Sequence, residues 1–289
     1  MKSRANFLFL KEIERKLKGG RVPSALQEAE MLLRHFGRMN RMEFLMGDKL
    51  LSASTKNLIV NAVRTRLKGF AIQHLLKEAD FYGRSFYVTP DVLIPRPETE
   101  CLVEEALDVL KATPRASRPQ ILDIGTGSGC IAISLTIEGV ECRMTALDVS
   151  EKALKIARRN LDRHELGSKI RLLKSDIFSA FGKEKKAFWD VIVSNPPYIS
   201  SKEISGLPVE VQREPSLALD GGEKGLDIID RILNEAPYFL KNGGWLLMEI
   251  AKGQSKLLAK KLAKNTHYKN IRFKKDLTGI ERILIAQKN

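Results

Sequence analysis

Residues Asp123-Ile124-Gly125-Thr126-Gly127-Ser128-Gly129 lie between a short apolar run, Gln120 to Asp123, and a segment that reads as a helix from about Gly129 onward. Three alternate glycines at a strand-to-helix turn free the backbone for positive φ. They also leave no Cβ between the turn and a ligand approaching the helix N-terminus. The rest of the chain repeats this strand-helix theme. Helices over 98–111, 151–163, 226–240 and 255–264 alternate with apolar strands at 143–148, 170–174, 190–194, 245–250, 271–273 and 282–286. Such alternation predicts an α/β fold with a mostly parallel sheet covered on both faces.

The front of the chain has a different period. Phe7, Leu10, Ile13 and Leu17, then Leu26, Ala29, Leu32, Leu33 and Phe36, then Leu58, Val60, Val63 and Leu67 recur at three- and four-residue spacing, the mark of amphipathic helices. Around Gly83 the aromatic and β-branched residues Phe81, Tyr82, Phe86, Tyr87 and Val88 favour a short β-hairpin. The expected organisation is a helical domain over 1–76, a hairpin linker over 77–90 and an α/β domain over 91–289. Charge follows the same division: residues 1–76 hold 15 Lys/Arg against 6 Asp/Glu, a net of +9, out of +14 for the 289-residue chain. A basic surface of that kind raises the encounter rate with an acidic protein or with RNA.

Which ligand the glycine loop takes is narrowed by its neighbours. A dinucleotide fingerprint needs a sixth-position glycine or alanine where Cys130 stands, and a phosphate loop needs a Gly-Lys-Ser/Thr that is missing. Gly-x-Gly-x-Gly after an acidic strand end instead resembles the first motif of class I S-adenosylmethionine methyltransferases. Asp148, about twenty residues on at the end of the next strand, suits the two hydroxyls of a ribose. It also precedes a helix, as a capping residue would. Asp176, followed by Ile177, stands after the third strand, where the pair would flank an adenine.

Asn195-Pro196-Pro197-Tyr198 follows the apolar strand Val191-Ile192-Val193. A planar amide or aromatic amine is a poor nucleophile because its nitrogen lone pair is delocalised. An Asn195 side-chain oxygen and a Pro196 carbonyl that accept its two N–H groups would orient the nitrogen for in-line attack and stabilise the charge developing on it. Pro197 would fix the turn and Tyr198 would pack on the planar group. No strong general base is required.

With these residues in view, the chain resembles the release factor glutamine methyltransferases, the HemK or PrmC family. The likeness extends to Phe81-Tyr82-Gly83, to the run from Pro90 through Ile94-Pro95-Arg96-Pro97-Glu98-Thr99-Glu100, to Glu214-Pro215 with Ala218-Leu219, and to Gly221-Gly222 with Gly225-Leu226. Related enzymes acting on a ribosomal protein glutamine typically carry Pro-Arg-Ser-Pro where this chain has Pro95-Arg96-Pro97-Glu98. The resemblance implies a class I, Rossmann-like methyltransferase sheet with an antiparallel last strand, behind an N-terminal helical domain and β-hairpin.

It further implies that Gly125, Thr126, Gly127, Ser128, Gly129, Asp148, Ile177 and Asn195 contact S-adenosylmethionine. The glutamine amide of a release factor Gly-Gly-Gln loop would be held by Asn195 to Tyr198, with S-adenosylhomocysteine (SAH) as product. The chain departs from the family at Leu75-Leu76-Lys77, where Ile-Leu-Gly is frequent, and at Glu249-Ile250-Ala251, where Glu-Ile-Gly is usual. Some members have an aromatic at the place of Ile177.

The rival acceptor is the exocyclic amine of a nucleic-acid adenine, which presents the same pair of N–H groups. A base in duplex must be flipped out, and no nucleic-acid recognition motif stands in the first 76 residues. Three scattered cysteines, Cys101, Cys130 and Cys142, make neither a disulfide framework nor a zinc site. No apolar run approaches the roughly 18–20 residues of a membrane span, and the first twenty residues are charged throughout. The expectation is a cytoplasmic, monomeric enzyme with no metal, no membrane attachment and no requirement for nucleic acid.

Overall fold

The computed structural model describes residues 2–47, 49–112, 118–138, 141–182 and 187–289, and these divide into two compact units. The first comprises residues 1–78 together with 208–213. Its helices are α1 (Lys2–Gly19), α2 (Ala25–Gly37), α3 (Arg41–Met46), α4 (Ala53–Leu67) and α5 (Ile72–Leu76). Ile13, Leu17, Ala29, Leu32, Leu33 and Ile59 make a fully buried core, with each Leu or Ile contributing about 1.5–3 kcal/mol on leaving water. Arg66 lies in that core and donates two bonds to the buried Glu28, from Nε to Oε2 at 2.7 Å and from Nη2 to Oε1 at 3.0 Å. It gives a third, 3.1 Å, to Glu210 of the short α9 (Val209–Gln212). A buried guanidinium is tolerable only when its donors are satisfied in this way.

The second unit opens with a hairpin, β1 (Ala79–Phe81) and β2 (Arg84–Phe86). Tyr82 and Gly83 between them are both at positive φ, 50° and 69°, as a two-residue hairpin turn requires. Phe81 and Phe86 are buried in one apolar cluster with Leu102, Ala106 and Ile121. The segment expected as a linker therefore supplies core side chains to this unit.

The seven-stranded sheet contains β3 (Gln120–Ile124), β4 (Arg143–Asp148), β5 (Ile170–Lys174), β6 (Trp189–Ser194), β7 (Leu240–Glu249), β8 (Tyr268–Lys275) and β9 (Glu281–Lys288), in the order β5-β4-β3-β6-β7-β9-β8. All neighbours are parallel except that β9 runs antiparallel to both β7 and β8. Alternation along the strands feeds two layers. Ile121, Val191 and Leu247 face the cluster that holds α6 (Pro97–Ala112) and α7 (Cys130–Ile137). Leu122, Ile192 and Leu246 face the one that holds α11 (Asp227–Phe239) and α12 (Gln254–Leu262). The remaining helices are α8 (Glu151–Arg163) and α10 (Ser216–Leu219).

The chain leaves β3 for β4 and β5 on one side and returns to β6 on the other, a switch point at which open α/β sheets bind ligands. Register sets out the site there. Ile124 is paired with Leu147 of β4 and with Ser194 of β6, so Gly125, Asp148 and Asn195 emerge side by side at the carboxyl edge.

Candidate active site

A cavity of about 600 Å³ lies at that edge and is lined by residues 124–128 of the glycine loop, Asp148, Asp176, Ile177 and 194–197. Its opposite walls come from Pro95, Arg96 and Thr99 and from residues 215–218 around α10. The loop and the Asn-Pro-Pro segment, 66 or more residues apart in sequence, are thus parts of one site. Of the residues singled out in the sequence, Gly129 and Tyr198 stand behind this lining and Asp176 lies at an exposed place on it.

Gly125, Gly127 and Gly129 have φ of 72°, 55° and 84°, a region that costs other residues about 1–2 kcal/mol. A Cβ added at Gly125 or Gly127 would meet nothing within 4 Å, whereas one at Gly129 would come 3.3 Å from Ile133 and 3.5 Å from Ala157. The first two glycines therefore keep cavity space clear, and the third lets helices pack closely. Thr126 donates its hydroxyl to Asp123 Oδ2 at 2.6 Å, while the amides of Gly125 and Thr126 both reach the Leu147 carbonyl at 2.9 Å. Burial pushes the fully enclosed Asp123 carboxyl up to about 7, against the opposing Thr126 bond.

Asp148 Oδ2 accepts the Gly127 amide and Oδ1 the Ser150 amide, each at 2.9 Å. Ser150 in turn caps α8 through Ala153. A carboxylate oxygen has a second lone pair, so the bracing and a ligand bond are compatible. Burial raises the Asp148 pKa, opposed first by the Ser150 amide bond. Ile177 is buried at φ 49°, a strained conformation for a β-branched residue. It is held there by Ser175, whose hydroxyl donates to the Ile177 carbonyl at 2.7 Å. Asp176 forms an exposed ion pair with Arg231 at 2.9 Å.

Asn195 Nδ2 donates to Thr99 Oγ1 at 3.1 Å, Thr99 donates to Glu249 Oε2 at 2.6 Å, and the Tyr198 hydroxyl donates to Glu249 Oε1 at 2.9 Å. Glu249 is buried on β7, where burial raises its pKa. The carboxylate also pushes the Tyr198 phenol up, second to the phenol's own desolvation. Behind this turn the backbone is crowded: a Cβ at Gly221 would lie 2.7 Å from the Pro197 carbonyl and one at Gly225 2.2 Å from that of Tyr198. Gln254 Nε2 ties the Tyr198 and Gly225 carbonyls together at 3.1 and 2.9 Å, and its oxygen accepts the Ala251 amide at 2.8 Å. On the opposite wall, the buried Glu214 binds the Ile94 amide at 3.2 Å and Arg96 at 2.5 Å.

Thr99, Glu249, Gln254 and Glu214 had no role assigned from sequence. A signal did exist for one of them. Glu249 interrupts an apolar run between Met248 and Ile250, and a carboxylate inside a central strand needs partners.

The cavity fits S-adenosylmethionine on its own chemistry. Cavity-lining charges are Asp91, Asp148, Asp176, Asp220 and Asp227 against Arg96 and Arg231, which is 2 − 5 = −3 in a chain of net +14. A locally acidic site in a basic protein suits a sulfonium cation, and Ile124, Ile131, Leu147 and Ile177 give it an apolar slot for a base. Among the described residues there is no cluster of His, Cys, Asp and Glu able to hold a metal.

A sheet of this order, with its ligand cavity at the switch point and one reversed strand, defines a class I S-adenosylmethionine-dependent methyltransferase. Solved structures share the fold: the N-terminal domain of human METTL16 in complex with SAH aligns with TM-score 0.52 at 17% identity, over 84% of this chain and 86% of that one. A methyltransferase from Pyrococcus furiosus aligns with TM-score 0.50 at 24% identity, over 79% and 98%. Family models for the methyltransferase small domain and the PrmC N-terminal domain match residues 103–210 and 9–76.

Among curated relatives, the release factor glutamine methyltransferase of Rhodopirellula baltica is 41% identical over 90% of this chain and 88% of its own. That of Koribacter versatilis is 38% identical over 94% of each. This chain belongs to the release factor glutamine methyltransferase family.

Proposed function

We propose that the protein methylates the side-chain amide nitrogen of the glutamine in the Gly-Gly-Gln loop of peptide chain release factors. The observation that carries this reading is the placement of Asn195 in the same cavity as Asp148 and the glycine loop, with its Nδ2 already engaged by Thr99. An Asn195 so engaged has Oδ1 available as an acceptor, and a primary amide is a donor of two N–H groups. The names of the relatives support glutamine over adenine as the group received.

S-adenosylmethionine supplies an electrophilic methyl on a sulfonium sulfur. Asp148 would accept the ribose hydroxyls, the 125–129 turn would lie against the ligand, and Asp176 and Ile177 would flank the base. Asn195 Oδ1 and the Pro196 carbonyl hold the two N–H groups of the glutamine amide, and Tyr198, behind the lining, braces the turn that carries them. Held in line by these residues, the amide nitrogen would receive that methyl as the sulfur–carbon bond breaks. The two acceptors stabilise the positive charge growing on nitrogen, and one amide proton then leaves to water.

The helical domain, residues 1–76, docks the release factor through its basic surface and the exposed Met42, Leu45 and Met46 of α3. The enzyme works as a monomer in the cytoplasm and needs no nucleic acid. No helix among the described residues is long and apolar enough to cross a membrane. The test is transfer of labelled methyl to an intact release factor, to the same factor with its Gly-Gly-Gln glutamine replaced, and to adenine-containing DNA and RNA. Label on the intact factor alone is expected; label on nucleic acid alone would overturn the reading.

A further inference from the structure

We propose that Thr99 and Glu249 are positioning residues that fix which way round the Asn195 amide faces, so that its oxygen and not its nitrogen meets the acceptor. The inference rests on the proposed function for the identity of the acceptor, while its geometry is read from this chain's own residues.

The side-chain amide of asparagine is nearly symmetrical in shape and opposite in chemistry at its two ends. Turned by half a rotation, Asn195 would present N–H groups to the N–H groups of an incoming amide, and the productive bond would become a repulsion. Something must break the symmetry, and the hydrogen bonds around Glu249 do so while its carboxyl is ionised. An ionised carboxylate can only accept. Glu249, 1% exposed on β7, accepts the Thr99 hydroxyl on Oε2 at 2.6 Å and the Tyr198 hydroxyl on Oε1 at 2.9 Å. Thr99, 2% exposed on α6, has then used its only hydrogen and can only accept from its other neighbour. That neighbour is Asn195, whose Nδ2 lies 3.1 Å from Thr99 Oγ1. The direction set at Glu249 is passed through one hydroxyl to the amide, and Oδ1 faces away from Thr99.

The same carboxylate anchors Tyr198, so the amide that meets the acceptor and the ring that backs its turn are referred to one buried group. The three contributing segments, α6, the turn after β6 and the end of β7, are each fixed independently by the sheet and its helix layer, which makes the arrangement rigid. A buried charge and two buried hydroxyl bonds are a costly way to fill this volume unless the direction matters.

The experiment uses the full chain with four variants. Thr99→Val keeps the shape and removes the hydroxyl; Thr99→Ser keeps the hydroxyl; Glu249→Gln lets one of the two bonds reverse; Asn195→Ala removes the amide. Transfer to a release factor is expected to lose on the order of 100-fold in kcat for Thr99→Val, the scale of one lost transition-state contact. Thr99→Ser should stay within about threefold of wild type and Glu249→Gln should lie between the two, with the dissociation constant for S-adenosylmethionine within about twofold in all three.

A readout independent of any acceptor comes from the Asn195 side-chain amide in 15N spectra. Its protons should be protected from exchange in the wild type and in Thr99→Ser, and should lose that protection in Thr99→Val. A Thr99→Val enzyme with wild-type kcat would overturn the proposal. So would a Thr99→Ser enzyme as impaired as the valine variant, or an Asn195 amide equally protected in both. If the wild type fails to label the factor while the amide still loses protection in Thr99→Val, the proposed acceptor is wrong and the positioning network stands.

Discussion

At the scale of single residues, two carboxylates a short distance apart do opposite things. Asp148 uses one lone pair of each oxygen on the Gly127 and Ser150 amides, and the remaining pairs suit a ribose. Asp148→Asn keeps the size but replaces one acceptor by a donor facing an amide. We expect the dissociation constant for S-adenosylmethionine to rise by roughly 10- to 100-fold, as a lost hydrogen bond to a charged group costs about 1.5–3 kcal/mol. Saturating kcat should fall far less, and an unchanged dissociation constant by calorimetry would remove Asp148 from the ligand.

Asp123 is fully enclosed, and its carboxyl is pushed from an ordinary 3.8 up to about 7, chiefly by burial. A raised carboxyl favours the folded state while protonated, so stability is greatest below the unfolded value and is lost as pH climbs from about 4 to about 7. The loss is on the order of 4 kcal/mol. Asp123→Asn should flatten the pH dependence of stability between about pH 4 and 7 in denaturant titrations of the unliganded protein. Parallel profiles for variant and wild type would contradict this. What sequence disclosed at this scale were the residues that announce themselves by type and order: the glycines, Asp148 and Asn195 to Tyr198. Thr99 and Gln254 were silent because a hydroxyl or amide on an amphipathic helix carries no mark of its partner, which arrives from 96 and 56 residues away.

At the scale of elements, the turn after β6 is shaped by what backs it. Gly225, at φ 68°, faces the Tyr198 carbonyl so closely that any Cβ there would sit 2.2 Å from it. Gly225→Ala must therefore move the Tyr198 backbone, whereas Gly279→Ala, at φ 82° with nothing within 4 Å, bears only the conformational cost. Both should lower stability by about 1–2 kcal/mol or more, but only the first should cut transfer, by at least about tenfold in kcat, since it displaces the turn that carries Asn195. Equal activity of the two variants would separate the loop from the chemistry.

Long periodic elements could be read directly, with α6, α8 and β3 to β6 within a residue or so of their expected bounds. Short ones could not. α3 has six residues and buries none of those described, being held instead by the Asn40–Glu43 capping box, and five-residue α5 offers barely one turn of periodicity. β7 starts at Leu240, five residues before the apolar run, because Gly243 and Gly244 look like a turn yet continue the strand beside a register shift at Trp189/Val191. β8 is mostly exposed, so only Ile271 to Phe273 of its eight residues stood out.

At the scale of the whole chain, opposite charges gather in different places. Residues 1–76 carry +9 of the +14, while the cavity lining is net −3. The two sites should consequently respond differently to salt. An exposed basic surface recruits its partner over distances that ions screen, with a Debye length near 10 Å at 0.1 M. The cavity works at contact distance, with Asp148 9% exposed and screened little. Raising ionic strength from about 50 to 300 mM should increase KM for the release factor severalfold and leave the dissociation constant for S-adenosylmethionine within about twofold. Leu45→Glu with Met46→Glu on α3 should raise the same KM at every salt concentration, because it removes apolar contact and opposes the surrounding field. It should leave kcat and thermal stability near wild type, since both side chains are more than 60% exposed. A double variant whose KM matches wild type at low and high salt would place docking elsewhere on the molecule, and a parallel rise in the S-adenosylmethionine dissociation constant would show that the charge separation has no functional meaning.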